Sequence, residues 1–199
     1  MKIPMKKERI FRLLSSQDGL TLSQISQNVQ LAKSYVSKVI GELKKNGVAW
    51  GTEKIYVDRE KLIREWGSLK RMIFQYIRPL MIDILIPDRI RSVVKNYAIS
   101  GPFAEMLVQG ESSGRPLIIY LTEKEMETRK SQIVKLGNVG KGQVWFYVYD
   151  EDILSSIWEI KNWKVVCIPQ ICADLIALGT YADLGIKLFK RWLDVGKRV

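Results

Sequence analysis

The sequence predicts an α+β protein in two unlike parts, and three observations carry that prediction. Residues 5–57 run through three stretches of helical periodicity into a Gly-centred hairpin pattern. Residues 97–194 instead alternate strand-sized apolar runs with helices, as expected of a mixed α/β layer built on one sheet. Charge divides the same way: residues 1–97 hold 19 Lys+Arg against 9 Asp+Glu, whereas residues 98–199 hold 13 against 12. A chain of 199 residues can bury one large core or two small ones. The junction falls within residues 79–97, and the expected division is an N-terminal domain with a trailing linker helix over 1–80 and an α/β partner-binding domain over 81–199.

In the first part, MKKERIFRLLSS over 5–16 sets Ile10, Leu13 and Leu14 on one helical face and turns Lys6, Lys7 and Arg9 toward solvent or phosphate. Thr21 and Gln24 form a T-x-x-Q capping box, which starts a short helix carrying Leu22, Ile25 and Val29 inward. After a tight connection at Gln30-Leu31, a further helix buries Val36, Val39, Ile40 and Leu43 and stops at Asn46-Gly47. That is helix-turn-helix spacing. Val48–Trp50 and Lys54–Val57 then read as hairpin strands around Gly51-Thr52-Glu53, and a helix-turn-helix followed by a hairpin is a winged helix. The outward side of the last helix carries Lys33, Ser34, Tyr35, Ser37 and Lys38, short polar and basic side chains able to reach base edges and phosphates in a major groove. Lys44 and Lys45, as phosphate contacts, and Lys54 of the hairpin complete the expected DNA-binding set.

Asp58 caps a helix running to the break before Pro79. Its Leu62, Trp66, Leu69, Ile73 and Tyr76 have heptad spacing, the seam of a helix lying along a partner helix and hence of a homodimer. Gly67, and an apolar face widened by Ile63, Phe74 and Ile77, fit a helix docked on its own chain equally well. Both readings stay open on sequence. Beyond it come an apolar run from Pro79, a short helix opened by Pro87-Asp88, and then strand 97–100, helix 103–109, loop 110–115, strand 116–122, helix 123–136, strand 143–149, helix 151–156, strand 163–168 and a helical end over 170–194.

Several function classes are disfavoured. No stretch approaches the roughly 20 apolar residues that cross a bilayer, and the N-terminus lacks a signal-peptide core, so no membrane partner and a cytoplasmic location are expected. The chain has no histidine, which removes Ser-His-Asp and Cys-His catalysis, and its two cysteines, Cys167 and Cys172, read as reduced packed residues without enough ligands for zinc. Gly67-Ser68 followed by Asp83-Ile84-Leu85 imitates a nucleotidyl-transfer motif but puts Leu85 where a second metal-holding acid belongs. The loop Gly110–Arg115 could cradle an anion through its N–H groups but lacks the end of a P-loop, and Asp150-Glu151-Asp152 reads as helix capping. No catalytic residue, metal ligand or cofactor is assigned, and the chain is not expected to be an enzyme.

The residues LSQISQNVQLAKSYVSKVIGELKKNGVAW resemble the winged-helix transcription regulators of bacteria and archaea. In the second part Tyr97-Ala98-Ile99-Ser100-Gly101, PLIIYLTEKEME, GNVGKGQVWFYVYDED and the closing Pro169-Gln170-Ile171-Cys172-Ala173-Asp174-Leu175 resemble the C-terminal domain of AbiEi-type antitoxins of type IV toxin-antitoxin systems. Tyr181–Gly185 departs from that pattern, where an Arg-x-x-Glu-Ala-like element is usual. The resemblance implies a DNA-binding autorepressor with double-stranded DNA and a toxin protein as partners. The alternatives are a winged-helix regulator that senses a small ligand and an enzyme with a nucleotidyltransferase-like domain.

Overall fold

Helix α1 (Met5–Ser16) forms where Ile10, Phe11 and Leu14 recur at helical spacing, and all three are fully buried. The computed structural model describes residues 5–195. Helix α2 (Leu22–Val29) starts at the expected capping box, with the Thr21 side chain accepting from the Gln24 N–H and the Gln24 side chain accepting from the Thr21 N–H. Gln30 adopts a left-handed conformation (φ 52°) and turns the chain into α3 (Lys33–Lys45), which buries Val36, Val39, Ile40 and Leu43. Strands β1 (Ala49–Trp50) and β2 (Tyr56–Val57) close an antiparallel hairpin shorter than the sequence suggested. Its tip is fixed at Gly51 (φ 94°), where a Cβ would lie 2.0 Å from the Lys54 carbonyl oxygen.

Helix α4 (Arg59–Tyr76) is capped by Asp58 and buries Leu62, Ile63, Trp66, Leu69 and Ile73. The burying surfaces are this chain's own α1 and the later helix α8 (Ile168–Leu178), so the seam docks internally. Tyr76, expected within it, is 57% exposed. Gly67 explains the intimacy of the contact, because a Cβ there would stand 2.3 Å from Ile176 Cγ2.

The remainder is built on one large mixed sheet with strand order β6-β3-β7-β5-β4-β9-β8: β3 (Leu80–Asp83), β4 (Tyr97–Ser100), β5 (Leu117–Leu121), β6 (Asn138–Val139), β7 (Val144–Val148), β8 (Trp158–Ile160) and β9 (Trp163–Val165). Between them lie α5 (Arg89–Val93), α6 (Gly101–Val108) and α7 (Glu123–Ile133), and α9 (Ala182–Asp194) closes the described chain. The central strands β4 and β5 are buried at every position, as continuous apolar runs covered on both faces should be. Tyr147 and Tyr149 turn to the helical face, where Phe74 stacks on Tyr147 at 4.8 Å between centroids.

Six expectations need correction. Residues 151–154 form a 3-10 turn rather than a helix to 156, because Asp150 caps too short an acidic segment to propagate. The strand expected over 163–168 ends at Val165, since Pro169 is pre-organised for the first turn of α8. The helical end breaks into α8 and α9 at Gly179, whose φ of 76° stops the first helix. Helix α6 begins at Gly101 rather than 103, and α7 gives way to a 3-10 turn at Val134–Leu136. Three strands go beyond the sequence reading: β3 forms from the apolar run after Pro79, and β6 and β8 are sheet edges of two and three residues, too short to carry a periodic signal.

Candidate nucleic-acid interface

On α3 the buried stripe leaves a face on which Lys33, Ser34, Ser37 and Lys38 are all exposed, so four of the expected groove-facing side chains share one outward surface. Tyr35 is the exception. It is half-buried against the core, and burial, followed by the charge of Glu42, pushes its phenol pKa up, so the hydroxyl stays protonated. Glu42, the acid on this helix, is held below its ordinary range chiefly by a hydrogen bond from Lys7 at 2.8 Å. That pairing withdraws one negative charge from the surface a polyanion would meet.

The C-terminal turn of α3 and the hairpin form the second part of the interface. Lys45 and Lys54 are exposed there, but Lys44 donates to the Gly51 carbonyl at 2.5 Å and clamps the hairpin tip to α3. Lys44 is thus a support as well as a cation. Sequence reasoning missed Trp50 and Tyr56, which lie side by side on the hairpin, 54% and 39% exposed, with rings stacked 6.3 Å apart. The available signal was their place at β1 and β2 on the side opposite the buried Ala49 and Val57.

Of the three basic residues of α1 expected toward solvent or phosphate, Lys6 is exposed but the other two are engaged. Lys7 is bound to Glu42, and the Arg9 guanidinium reaches both Asp150 carboxylate oxygens at 2.7 Å, while Arg12 pairs with Asp152. The acidic triplet therefore caps its 3-10 turn and also ties that turn to α1. Burial alone would raise the Asp150 pKa, but the Arg9 hydrogen bond, the Asp152 N–H and the charges of Arg9 and Arg12 outweigh it and hold the carboxyl below its usual range.

Other candidate chemistry lacks its geometry. Gly67-Ser68 sits in the middle of α4 against α8, not in a loop beside Asp83. In the loop 110–115 the Ser112 N–H donates to the buried Glu105 carboxylate at 2.7 Å and the Gly114 N–H to Ser112 Oγ, so the chain's own side chains fill the would-be anion cradle. Beside it, Ile84, Leu85, Phe103, Met106, Arg115 and Gln143 line an open cavity of about 320 Å³. Both cysteines are free thiols, with burial pushing the pKa of each up. Among the described residues no group of three or more Cys, Asp or Glu is placed to hold a metal, and no helix is long and apolar enough to cross a membrane. No protein-family model matches the chain, and neither do any curated protein or solved structure.

Proposed function

We propose that this chain is a sequence-specific DNA-binding transcription regulator of the cytoplasm, with residues 1–80 acting as a winged-helix reader of double-stranded DNA. One observation carries the reading: α3 exposes Lys33, Ser34, Ser37 and Lys38 together while its neighbouring acid is neutralised by Lys7, and a hairpin bearing Lys54 is clamped beside it. Ser and Lys side chains on one helix face suit base edges and phosphates, and a charge excess confined to residues 1–97 suits the release of counterions. In this reading the first helical turn of α3 enters the major groove and the hairpin follows the backbone.

The test is a gel-shift titration on a duplex selected from a random pool. Lys38→Ala should cost about 1–3 kcal/mol of binding to the selected duplex and leave the fold unchanged. Lys45→Ala should weaken binding to every duplex alike and flatten the dependence on salt. A chain that enriches no duplex, or a Lys38→Ala variant as tight as the parent, removes the assignment.

Within this function, the resemblance of residues 97–175 supports the narrower role of an autorepressing antitoxin whose domain 81–199 engages a toxin protein. Co-purification with the product of the adjacent reading frame tests it. A homodimer on paired half-sites would need a surface other than the α4 stripe, which is filled internally. The ligand-sensing reading draws on the cavity beside Arg115, whose volume is at the lower end of small-molecule sites.

A further inference from the structure

Between α1, α4, α8 and the sheet lies a buried ionic cluster that the proposed DNA contacts do not use. Lys70 of α4 and Asp174 of α8 are 0% exposed and Glu8 of α1 is 1% exposed. The Lys70 ammonium lies 3.1 Å from Glu8 Oε1 and 3.4 Å from Asp174 Oδ1, and donates to the Tyr149 hydroxyl at 2.7 Å. Aromatic rings surround it, with centroids at 4.1 Å for Tyr149, 4.7 Å for Tyr120 and 5.3 Å for Phe74.

Each carboxylate is satisfied further. Glu8 accepts from Trp66 Nε1 at 2.8 Å and from the Tyr149 hydroxyl. Asp174 accepts from Ser100 Oγ, from the Tyr120 hydroxyl at 2.8 Å and from Gln170 Nε2 at 3.2 Å, and Gln170 in turn accepts from Arg12 at 3.0 Å. The closing motif Pro169–Leu175 thus reaches back to the first helix.

A fully buried cation is a poor source of net stability, because desolvating the ions offsets their attraction and well-packed apolar groups of similar volume generally serve as well. What such a cluster supplies is direction. Much of the remaining α4–α8 contact is apolar, with Ile176 and Ala173 meeting Gly67, a surface that adheres without strongly selecting one alignment; Arg71, at the part-buried margin, adds hydrogen bonds to the Ala177 and Ile176 carbonyls at 3.3 and 3.2 Å near the end of α8. Lys70 can meet Glu8, Asp174 and Tyr149 together in only one.

We propose that Lys70 is a positioning residue that keys the helix-and-hairpin half to the sheet in a single orientation, so that α3 is presented to DNA from a fixed frame. The functional consequence rests on the DNA-binding reading; the mechanical one does not.

The experiment uses the full chain with Cys167→Ser and spin labels on Gln27→Cys of α2 and Glu127→Cys of α7, both exposed positions outside the cluster. The parent should give one narrow inter-label distance distribution. Replacing the ionic groups together (Glu8→Gln, Lys70→Met, Asp174→Asn) should preserve the helical circular dichroism signal while broadening that distribution and weakening binding to the duplex that the parent selects. Tyr149→Phe, which removes one hydroxyl from the cluster, should broaden it less and decides the matter if the triple variant does not fold. Distributions as narrow as the parent's in the folded variants overturn the proposal, and so does a broadened variant that binds the selected duplex as tightly as the parent. Broadening in a protein whose parent selects no duplex upholds the mechanical key and removes the DNA-binding reading instead.

Discussion

At Asp150 one carboxylate caps the 3-10 turn and holds Arg9 of α1, and both roles require it to be ionised. Its pKa in the folded chain lies below the ordinary 3.8, so this group contributes stability that is fully present above that value and lost as pH falls through the folded pKa. Asp150→Asn should therefore lower the melting temperature near neutral pH, by the equivalent of about 1 kcal/mol for a partly exposed pair, and the two proteins should converge in strong acid. A constant gap across the titration would mean that the pair with Arg9 contributes nothing. Asp174 has the opposite sign. Burial, outweighing Lys70 and the hydroxyl donors, raises its pKa, so the stability associated with its protonated form is present below 3.8 and lost as pH rises through the folded value. Thermal unfolding followed from acid to neutral pH should thus show the Asp150 and Asp174 contributions opposing one another, and Asp150→Asn should expose the second.

Among the elements, α4 decides how the chain is put together, and Gly67 is its most informative position. Gly67→Ala improves helix propensity by roughly 1 kcal/mol but drives a methyl into Ile176, and overpacking of this kind typically costs about 1–3 kcal/mol. We expect net destabilisation in urea, and relief when Ile176→Val is added; a stabilised Gly67→Ala would show that α8 yields easily. Leu69→Asp should unfold the protein and not merely change its sedimentation, because the stripe is covered from within. The stripe itself was legible in the sequence, residue for residue up to Ile73, whereas its partner was not, since heptad spacing records that a helix is covered and says nothing of which chain covers it. Elements with strong local signals were readable in the same way: the Thr21 capping box, the α3 stripe and the Asp58 cap all stand where their residue types put them. What could not be read were features made by distant partners, such as the short edge strands β6 and β8, the capture of Arg9 by Asp150, and the burial of Lys70. Of the candidate interface, the exposure of the lysines and serines on α3 was legible, and the half-burial of Tyr35 and the tethering of Lys44 to Gly51 were not.

For the molecule as a whole, the connection between its ends bears on how it comes to be folded. Arg9 and Glu8 find their partners 141 residues away, and Arg12 meets Gln170 at a separation of 158. Contacts of such span carry a large loop-closure cost and tend to form late. As the chain leaves the ribosome, α1 through α4 emerge first; α1 and α4 can meet, and Glu8 can pair with Lys70 and Trp66, but the side of α4 that packs on α8 faces a surface not yet made. The α8-facing side of the early half therefore stays solvated until α8 arrives. A chain released before residue 168 should be captured by chaperones or degraded, and a ribosome-arrest series should show protease resistance of residues 5–76 rising only after α8 has cleared the exit tunnel. The frame that holds α3 and the hairpin would then be completed only once α8 has joined it, so that synthesis past residue 178 becomes a condition for the first half to settle.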